Sequence, residues 1–293
     1  MKPNKKVLIF GSKGMLAHDI AKVFKRSGYS VVGVDKEDFD IAQEKNVKDQ
    51  IYKTRPGLII NTAAIVNLDE CENDPGRAVL VNAMGPLFIS KYSLELDIPV
   101  VQISTIYVFS GEKRSGYSEN DRPDPVNVYG IVKLAGELFA KLNPKSYIIR
   151  TNFLFGVNYN PNLSGSGNFV KRILNLSESG SVRVVTDQVA SVTYTKDLAE
   201  KMLEIIESEK YGTYHITNSG SASLYKIAKE IIMVSGLKGV KILPAKLSDF
   251  RTAARRPRNT AVLNLQIRKN GMRPLRGWKE ALSEYLKEIG YSK

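Results

Sequence analysis

Cysteine and histidine are scarce in this chain of 293 residues, which has one cysteine, Cys71, and two histidines, His18 and His215. A single thiol cannot form an internal disulfide, so the sequence gives no support for secretion. One cysteine and two histidines are also too few soft ligands for a structural zinc site. We therefore expect no metal.

Long hydrophobic runs are also missing from the sequence. No apolar run approaches the ~18 residues that are needed to span a bilayer. After the basic start, the apolar stretch Val7–Phe10 is too short for the core of a signal peptide. The sequence therefore predicts a cytoplasmic protein that has no membrane partner.

Acidic residues are fewer than basic residues, with 30 Asp and Glu against 43 Lys and Arg, and the formal net charge is +13. A basic surface can bind nucleic acid, an anionic membrane or an anionic small substrate. The lysines are scattered along the chain, the one dense basic run is Arg251–Arg258, and no nucleic-acid-binding motif is present. We therefore predict a small phosphate-bearing ligand and no nucleic-acid partner.

The first half of the chain alternates short apolar runs with longer segments of helical periodicity, which is typical of βαβ units. The predicted strands are Val7–Phe10, Tyr29–Val34, Leu58–Ile60, Ile98–Ile103 and Tyr147–Ile149. The predicted helices are Met15–Ser27, a segment through Val47 and Ile51, Ala78–Leu96, and Ile131–Leu142. The expected fold class is α/β with a doubly wound parallel sheet.

The rhythm of the sequence changes after about residue 152. Asn158–Gly167 is rich in Asn, Pro, Gly and Ser, which predicts a mobile loop. Shorter elements are predicted at Val182–Val185, Asp197–Glu207, Thr213–Thr217, in a helix opened by Ser223, and at Trp278–Ile289. We predict a larger domain at 1–152, with a returning segment near 190–210, and a smaller mixed α/β domain at 153–293 that binds the substrate.

A glycine-rich segment joins the first predicted strand to the first predicted helix. Gly11 permits a tight turn, and Gly14 lets the backbone approach a pyrophosphate at the start of the helix. The small Ala17 lets the helix pack closely on the strand. This pattern predicts a Rossmann-type dinucleotide-binding domain. The residues predicted to bind the cofactor here are Gly11, Lys13, Gly14, Met15 and Leu16.

The end of the second predicted strand bears on the choice of cofactor. Asp35 can accept hydrogen bonds from the ribose diol of NADH, whereas Lys36 and Lys13 favour the additional phosphate of NADPH. The sequence therefore does not decide between NADH and NADPH, and the two lysines favour NADPH. Asp40 and Ile41 are predicted to edge the adenine.

Tyr129 and Lys133 are four residues apart on a predicted helix and therefore share one face. A free phenol has a pKa near ~10, and we expect the neighbouring ammonium and an oxidised nicotinamide to lower it. Thr105, at the end of a predicted strand, can donate a hydrogen bond to the substrate oxygen. We predict that these three residues are catalytic. The same spacing at Tyr225 and Lys229 lacks the upstream strand and hydroxyl, so we assign it to a surface helix.

With these residues placed, the chain resembles the extended short-chain dehydrogenases, and within them the dTDP-4-dehydrorhamnose reductase family. The likeness covers nearly the whole length. It rests on Asn61–Ala64 with Asp69 and Glu72, Val81–Ala83, Ser104–Phe109, Pro125–Gly130 with Lys133–Glu137, Arg150–Asn152, Thr186–Gln188 and Arg256–Asn259.

The resemblance implies reduction of the C4-keto group of a nucleotide-activated deoxysugar, with the proton delivered by Tyr129. It also implies further residues around the ligands. The additional cofactor residues are Ala63, Ala64, Asn82 and Asn152. The substrate residues are Val66, Leu68, Ile106, Tyr107 and Phe153, with Arg256 and Arg258 at the nucleotide end of the substrate.

Three positions depart from the family pattern. Ile106 stands where the family usually has Asp, Phe153 where it has Trp, and Val66 where it has a hydroxyl residue. These departures predict a more apolar sugar pocket, suited to a more deoxygenated sugar, and leave the hydride-transfer residues unchanged.

Two alternatives stay open at the level of sequence. A nucleotide-sugar epimerase would share the fold and the Tyr–Lys pair. The regulatory β subunit of methionine adenosyltransferase is similar over the same motifs, and such a subunit would bind cofactor with catalysis secondary. A homodimer is a further expectation.

Overall fold

The computed structural model describes residues 4–157 and 168–291. The predicted loop Asn158–Gly167 lies outside the described residues. The strands are β1 Lys6–Phe10, β2 Ser30–Val34, β3 Leu58–Asn61, β4 Val100–Thr105, β5 Ser146–Thr151, β6 Leu154–Phe155, β7 Ser181–Val185, β8 Val189–Ala190, β9 Thr193–Tyr194, β10 Gly212–His215, β11 Ala222–Ser223, β12 Lys241–Ala245 and β13 Asn259–Thr260.

The helices alternate with these strands in the first half of the chain. They are α1 Met15–Arg26, α2 Glu44–Thr54, α3 Leu68–Asn73, α4 Pro75–Val79, α5 Gly85–Glu95, α6 Val128–Ala140, α7 Phe169–Ser177, α8 Thr195–Glu207, α9 Leu224–Ser235, α10 Leu265–Lys269 and α11 Trp278–Glu288. A π-helical turn, Leu80–Met84, joins α4 to α5. No helix among residues 4–157 and 168–291 has the length and apolar character that crossing a membrane requires.

The central sheet has six parallel strands in the order β10-β5-β4-β3-β1-β2. Apolar side chains on its two faces form separate cores: one with α1 and α8, the other with α2 and α5. The α/β class and the doubly wound parallel sheet are therefore confirmed. The strand order reverses between β1 and β3, and in such sheets ligands bind at the carboxyl ends of the strands beside that reversal.

The sixth strand of the sheet comes from the second half of the chain. β10 pairs with β5 in parallel, from Gly212 opposite Tyr147 to His215 opposite Arg150. Three other helices of the second half, α7, α9 and α11, pack around another apolar core. The division of the chain at residue 152 stays a prediction.

The predicted helix Ala78–Leu96 is longer and less regular than expected. Helical structure begins at Pro75, and the π-helical turn interrupts it before Gly85 and Pro86. Proline has no N–H to donate to the preceding turn, which favours a local change of helical pitch. The turn contains Asn82, and this places its side chain beside the loop that follows β3.

Candidate active site

The loop that follows β1 is built as a phosphate cradle. Gly11 has φ +80°, and the N–H groups of Gly11 and Ser12 both donate to the carbonyl of Val34, at 2.9 and 3.1 Å. A Cβ on Gly11 would lie 2.7 Å from the backbone N of Ala63, so only glycine fits this position. The loop therefore lies tightly against β2 and the segment after β3.

The amino end of α1 fits an anionic group. Gly14 is its N-cap and offers no side-chain hydrogen bond, and the first turn from Met15 contains no acidic residue. The N–H groups of a first helical turn need acceptors, and the helix dipole favours negative charge there. A dinucleotide pyrophosphate meets both requirements, which is consistent with the prediction for Gly11, Gly14, Met15 and Leu16.

Asp35 organises the end of β2. Its carboxylate accepts the N–H of Lys13 at 2.7 Å and that of Lys36 at 2.8 Å. The ammonium of Lys13 forms an ion pair with Glu37. Lys36 is exposed and has no ion pair within the described part of the chain. Lys36 is therefore the cation that is available to a ligand at the end of β2.

The residues predicted to edge the adenine are both held by protein contacts. Arg77 donates two hydrogen bonds to the Asp40 carboxylate, at 3.1 and 3.2 Å. Burial alone would raise the pKa of Asp40, but Arg77 and the N–H of Ala42 hold it below its ordinary value. Ile41 is buried in the core against Gly85. Any contact of Ile41 with an adenine would therefore use its backbone.

The loop after β3 is fixed by side chains of β3, of the loop itself and of the π-helical turn. Thr62 donates to the carbonyl of Phe10 at 2.7 Å, and the N–H of Ala63 donates to Asn61 at 3.1 Å. Asn82 binds both the N–H and the carbonyl of Ile65, each at 2.9 Å. Asn82 was predicted to bind cofactor, but both ends of its amide hold this loop. The half-buried Ala63 and Ala64 lie in the loop that Asn82 holds.

The three predicted catalytic residues lie at the carboxyl end of β4 and on α6. Tyr129 is in the first turn of α6, whose N-cap Asn127 accepts the N–H of Gly130. The Lys133 ammonium donates to the carbonyl of Ile103 at 2.7 Å. The Thr105 hydroxyl oxygen accepts the N–H of Tyr107 at 3.2 Å, which leaves its hydrogen free to donate.

The protonation of the Tyr–Lys pair differs from the expectation. Burial raises the pKa of Tyr129 above its ordinary value, and the Thr105 side chain opposes this only in part. Lys133 is not among the groups that shift it. Burial also lowers the pKa of Lys133, to about 8, against the opposing effect of Glu137. The lowering expected from the neighbouring ammonium is therefore corrected: burial raises the phenol pKa and Lys133 does not offset it, whereas the lowering by an oxidised nicotinamide stays a prediction.

An apolar cluster surrounds the phenol of Tyr129. Its buried members are Cys71, Ala78, Tyr107, Tyr129 and Val132, with Leu68 and Phe153 partly buried against them. The ring of Tyr107 meets that of Tyr129 edge-on, with centroids 6.1 Å apart. The predicted substrate residues Leu68, Tyr107 and Phe153 are thus brought together around Tyr129. Val66 is 40% exposed and does not belong to this cluster.

Ile106 does not lie with these residues. It is fully buried in a different cluster, with Val108, Phe109 and Tyr117. The chain turns into a 3-10 helix directly after Thr105, which separates Ile106 from the cluster of Tyr107 and Tyr129. The predicted substrate role of Ile106 is corrected: its side chain belongs to the core.

Asn152 is also engaged by the protein. Its side-chain amide donates to the Thr260 hydroxyl at 2.7 Å, and its backbone carbonyl accepts a hydrogen bond from the Thr193 hydroxyl at 2.9 Å. It therefore joins the end of β5 to β13, whereas the resemblance implied contact with cofactor.

Residues 251–258, the arginine segment, are attached to α3 through Arg256. Its guanidinium donates to both oxygens of Asp69, at 2.9 and 2.8 Å, and holds the pKa of Asp69 down at about 2. The carbonyl of Arg255 accepts the amide of Asn127 at 2.8 Å. Arg256 is thus largely committed to Asp69, whereas Arg258 is exposed.

A buried charge network behind the site had no predicted role. Glu137 and Arg150 form an ion pair, and Ser104 donates to the same carboxylate. Both charged residues stood in the motifs quoted from the sequence. The available signal was a charged residue on the buried side of an amphipathic helix and another at the end of an apolar strand, since such charges need partners.

The family model described as the RmlD substrate binding domain matches residues 5–291. The chain belongs to this family. The membership predicted from the Tyr-Gly-x-x-Lys motif and its flanks is therefore confirmed.

Two relatives extend this result over the full chain. The spore coat polysaccharide biosynthesis protein SpsK of Bacillus subtilis is 36% identical, with 97% of each chain covered. A dTDP-4-dehydrorhamnose reductase of Aggregatibacter actinomycetemcomitans is 33% identical, covering 94% of this chain and 97% of the relative.

A solved structure agrees with the fold of this RmlD family member. The dTDP-4-dehydrorhamnose reductase of Bacillus anthracis, solved in complex with NADP, superimposes with a TM-score of 0.92. It is 34% identical, with 97% of this chain and 99% of that chain covered.

Proposed function

We propose that this chain reduces the C4-keto group of a dTDP-linked deoxysugar with NADPH or NADH. The observation that carries the proposal is the placement of Thr105, Tyr129 and Lys133 at the same edge of the sheet as the Gly11–Gly14 cradle. The reductase names of the relatives support it and favour reduction over the epimerase and regulatory-subunit alternatives.

The residues divide the chemistry in the following way. The nicotinamide, when bound, supplies the hydride. Tyr129 gives its proton to the former ketone oxygen, and the Thr105 hydroxyl donates a hydrogen bond to the same oxygen. Lys133 remains an ammonium near neutral pH, because its pKa of about 8 lies above that range, and holds the ribose beside the ring.

The sugar pocket that we propose is apolar on one side. Phe153 and Leu68 pack against the cluster of Tyr129 there. Val66 lies two residues before Leu68 in the chain, and its side chain is exposed. Arg258 offers an exposed guanidinium for the nucleotide end of the substrate, since arginine binds phosphate oxygens well.

The decisive experiment follows nicotinamide absorbance while the purified protein is mixed with dTDP-4-keto-6-deoxysugars. We expect oxidation of the cofactor, and Tyr129→Phe to lower kcat by roughly 10²–10⁴-fold, because the proton donor is lost. The matched control is Tyr225→Phe, which removes the same hydroxyl from the second Tyr-x-x-x-Lys copy on α9. Cofactor binding without oxidation on any such sugar would support the regulatory-subunit alternative instead.

We also propose that the protein is a homodimer that works in the cytoplasm, where its phosphate-bearing substrate and cofactor are made. The side of α6 away from the catalytic residues exposes Ile131 and Leu138, seven residues apart on one face, and Leu142 follows the helix. Exposed apolar surface of this kind marks interaction sites, and a twofold axis would bury it on both copies.

A further inference from the structure

The catalytic helix carries a third ionisable residue on its inner side. Tyr129, Lys133 and Glu137 recur every fourth residue of α6, so they form one stripe along the helix. Glu137 is fully buried. A buried carboxylate loses its hydration and needs charged or hydrogen-bonding partners, so the contacts of Glu137 indicate what it does.

Two strands supply the partners of Glu137. Arg150 on β5 donates from Nε to Oε1 at 2.9 Å and from Nη2 to Oε2 at 2.6 Å. Ser104 on β4 donates to Oε1 at 2.5 Å. The carboxylate therefore accepts three hydrogen bonds, two of them in the bidentate geometry that suits a guanidinium.

Two side-chain hydrogen bonds join α6 to successive residues of β4. Lys133 donates to the carbonyl of Ile103, and Glu137 accepts from the side chain of Ser104. The next residue along the strand is Thr105, the predicted hydroxyl donor. These two contacts fix the position of the helix along the strand and hence that of Tyr129 relative to Thr105.

Arg150 has no second carboxylate within the described ranges 4–157 and 168–291. Its guanidinium stacks over the Phe109 ring at 5.2 Å, and its Nη1 lies 3.5 Å from Nε2 of His215. Burial and the charge of Arg150 lower the pKa of His215 to about 3, so this histidine is neutral. Glu137 therefore balances the charge of Arg150.

We propose that Glu137 is a positioning residue for the reduction: it holds α6 in register on β4 and places a negative charge one helical turn from the Lys133 ammonium. This inference rests on the proposed function. The groups that act on Lys133 are consistent with it, because burial lowers the pKa of Lys133 while Glu137 and the Cys71 thiol raise it. Arg150 is not among those groups.

The test is the pH dependence of kcat/KM in Glu137→Gln. Without the carboxylate, the pKa of Lys133 falls, so the ammonium is lost at a lower pH. We expect the alkaline limb of the profile to move down by about one pH unit. Glu137→Asp keeps the charge and should return the limb toward its original position. Ser104→Ala removes a hydrogen bond and no charge, so it should leave the limb where it is.

A second variant covers the case in which Glu137→Gln alone fails to fold. Glu137→Gln with Arg150→Met removes both buried charges together and leaves neither unpaired. Because the carboxylate that raises the pKa of Lys133 is lost in both variants, the double variant should shift the limb in the same direction, by less than Glu137→Gln since a positive charge is removed with it. An unshifted limb in a folded variant of either kind would overturn the proposal.

NADPH binding provides a readout that needs no sugar. The fluorescence of bound NADPH reports its affinity as the pH is raised. Because the Lys133 ammonium holds the ribose, we expect the affinity to fall as Lys133 loses its proton. In both variants that contain Glu137→Gln, this fall should begin at a lower pH than in the parent protein. If no sugar is reduced but this shift appears, the proposed reaction fails and the role of Glu137 stands. If sugars are reduced and binding and activity keep their pH dependence, the role of Glu137 fails alone.

Discussion

Lys36 is the residue that we expect to set the choice between NADPH and NADH. The charge of Lys13 is neutralised by Glu37, whereas Lys36 is exposed beside Asp35. Lys36→Ala removes a charged donor to the additional phosphate of NADPH, so we expect the KM for NADPH to rise by about tenfold, with little change for NADH.

Steady-state kinetics with each cofactor measure this preference. Lys226→Ala, an exposed lysine on the far α9, is the matched control for the loss of one positive charge. An equal rise in KM for both cofactors would mean that Lys36 acts on shared parts of the dinucleotide and does not select between them.

At the same scale, the placement of Tyr129 and Lys133 on one helix could be predicted, and the protonation of the phenol could not. The spacing of Tyr129 and Lys133 on one helix is a local property that can be read from the sequence. The pKa of Tyr129 depends on burial by Cys71 and Tyr107, which are distant in sequence. The substrate role of Ile106 came from the resemblance alone, and the 3-10 turn directly after Thr105 places its side chain in a separate buried cluster.

At the scale of elements, the ion pair between Asp69 on α3 and Arg256 joins the arginine segment to α3, which packs on α6. Asp69→Asn loosens this connection, so we expect the KM for the nucleotide sugar to rise and kcat to stay unchanged. The pair is partly exposed, which limits the effect to about 1 kcal/mol or about fivefold. The pKa of Asp69 is about 2, so the pair stays charged throughout any assay near neutral pH and is lost only as pH falls through that value.

The kinetic split between KM and kcat distinguishes this role from a general loss of stability. Glu112→Gln is the control, because Glu112 lies 3.8 Å from Arg255 and both side chains are largely exposed. A fall in kcat with an unchanged KM would show that the pair acts on the chemistry and not on binding.

The five strands of the first half could be predicted because each is a short apolar run that ends at a polar or turn residue. Later elements were missed for local reasons. β12 contains Pro244, which argues against a strand, and β13 has two residues. These segments become strands because partners from elsewhere in the chain lie beside them, as β7 does for β12.

At the scale of the whole molecule, the apolar face of α6 predicts the state of assembly. Ile131→Lys with Leu138→Lys places two charges on that face, and we expect a dimer to become a monomer in sedimentation analysis. Met233→Lys, at an exposed apolar residue of α9, is the control and should leave the dimer intact. A parent protein that sediments as a monomer at micromolar concentration would contradict the dimer.

The placement of β10 beside β5 has a consequence for synthesis on the ribosome. β5 leaves the exit tunnel well before its outer neighbour, because β6 to β9, α7 and α8 are translated in between. Until Gly212–His215 arrives, the backbone amides and carbonyls of β5 on that side have no strand to pair with, and unpaired strands of this kind promote aggregation. The nascent chain is therefore most vulnerable in the interval before β10 is made, and substitutions that slow the docking of β10 should lower soluble yield more than they lower the melting temperature.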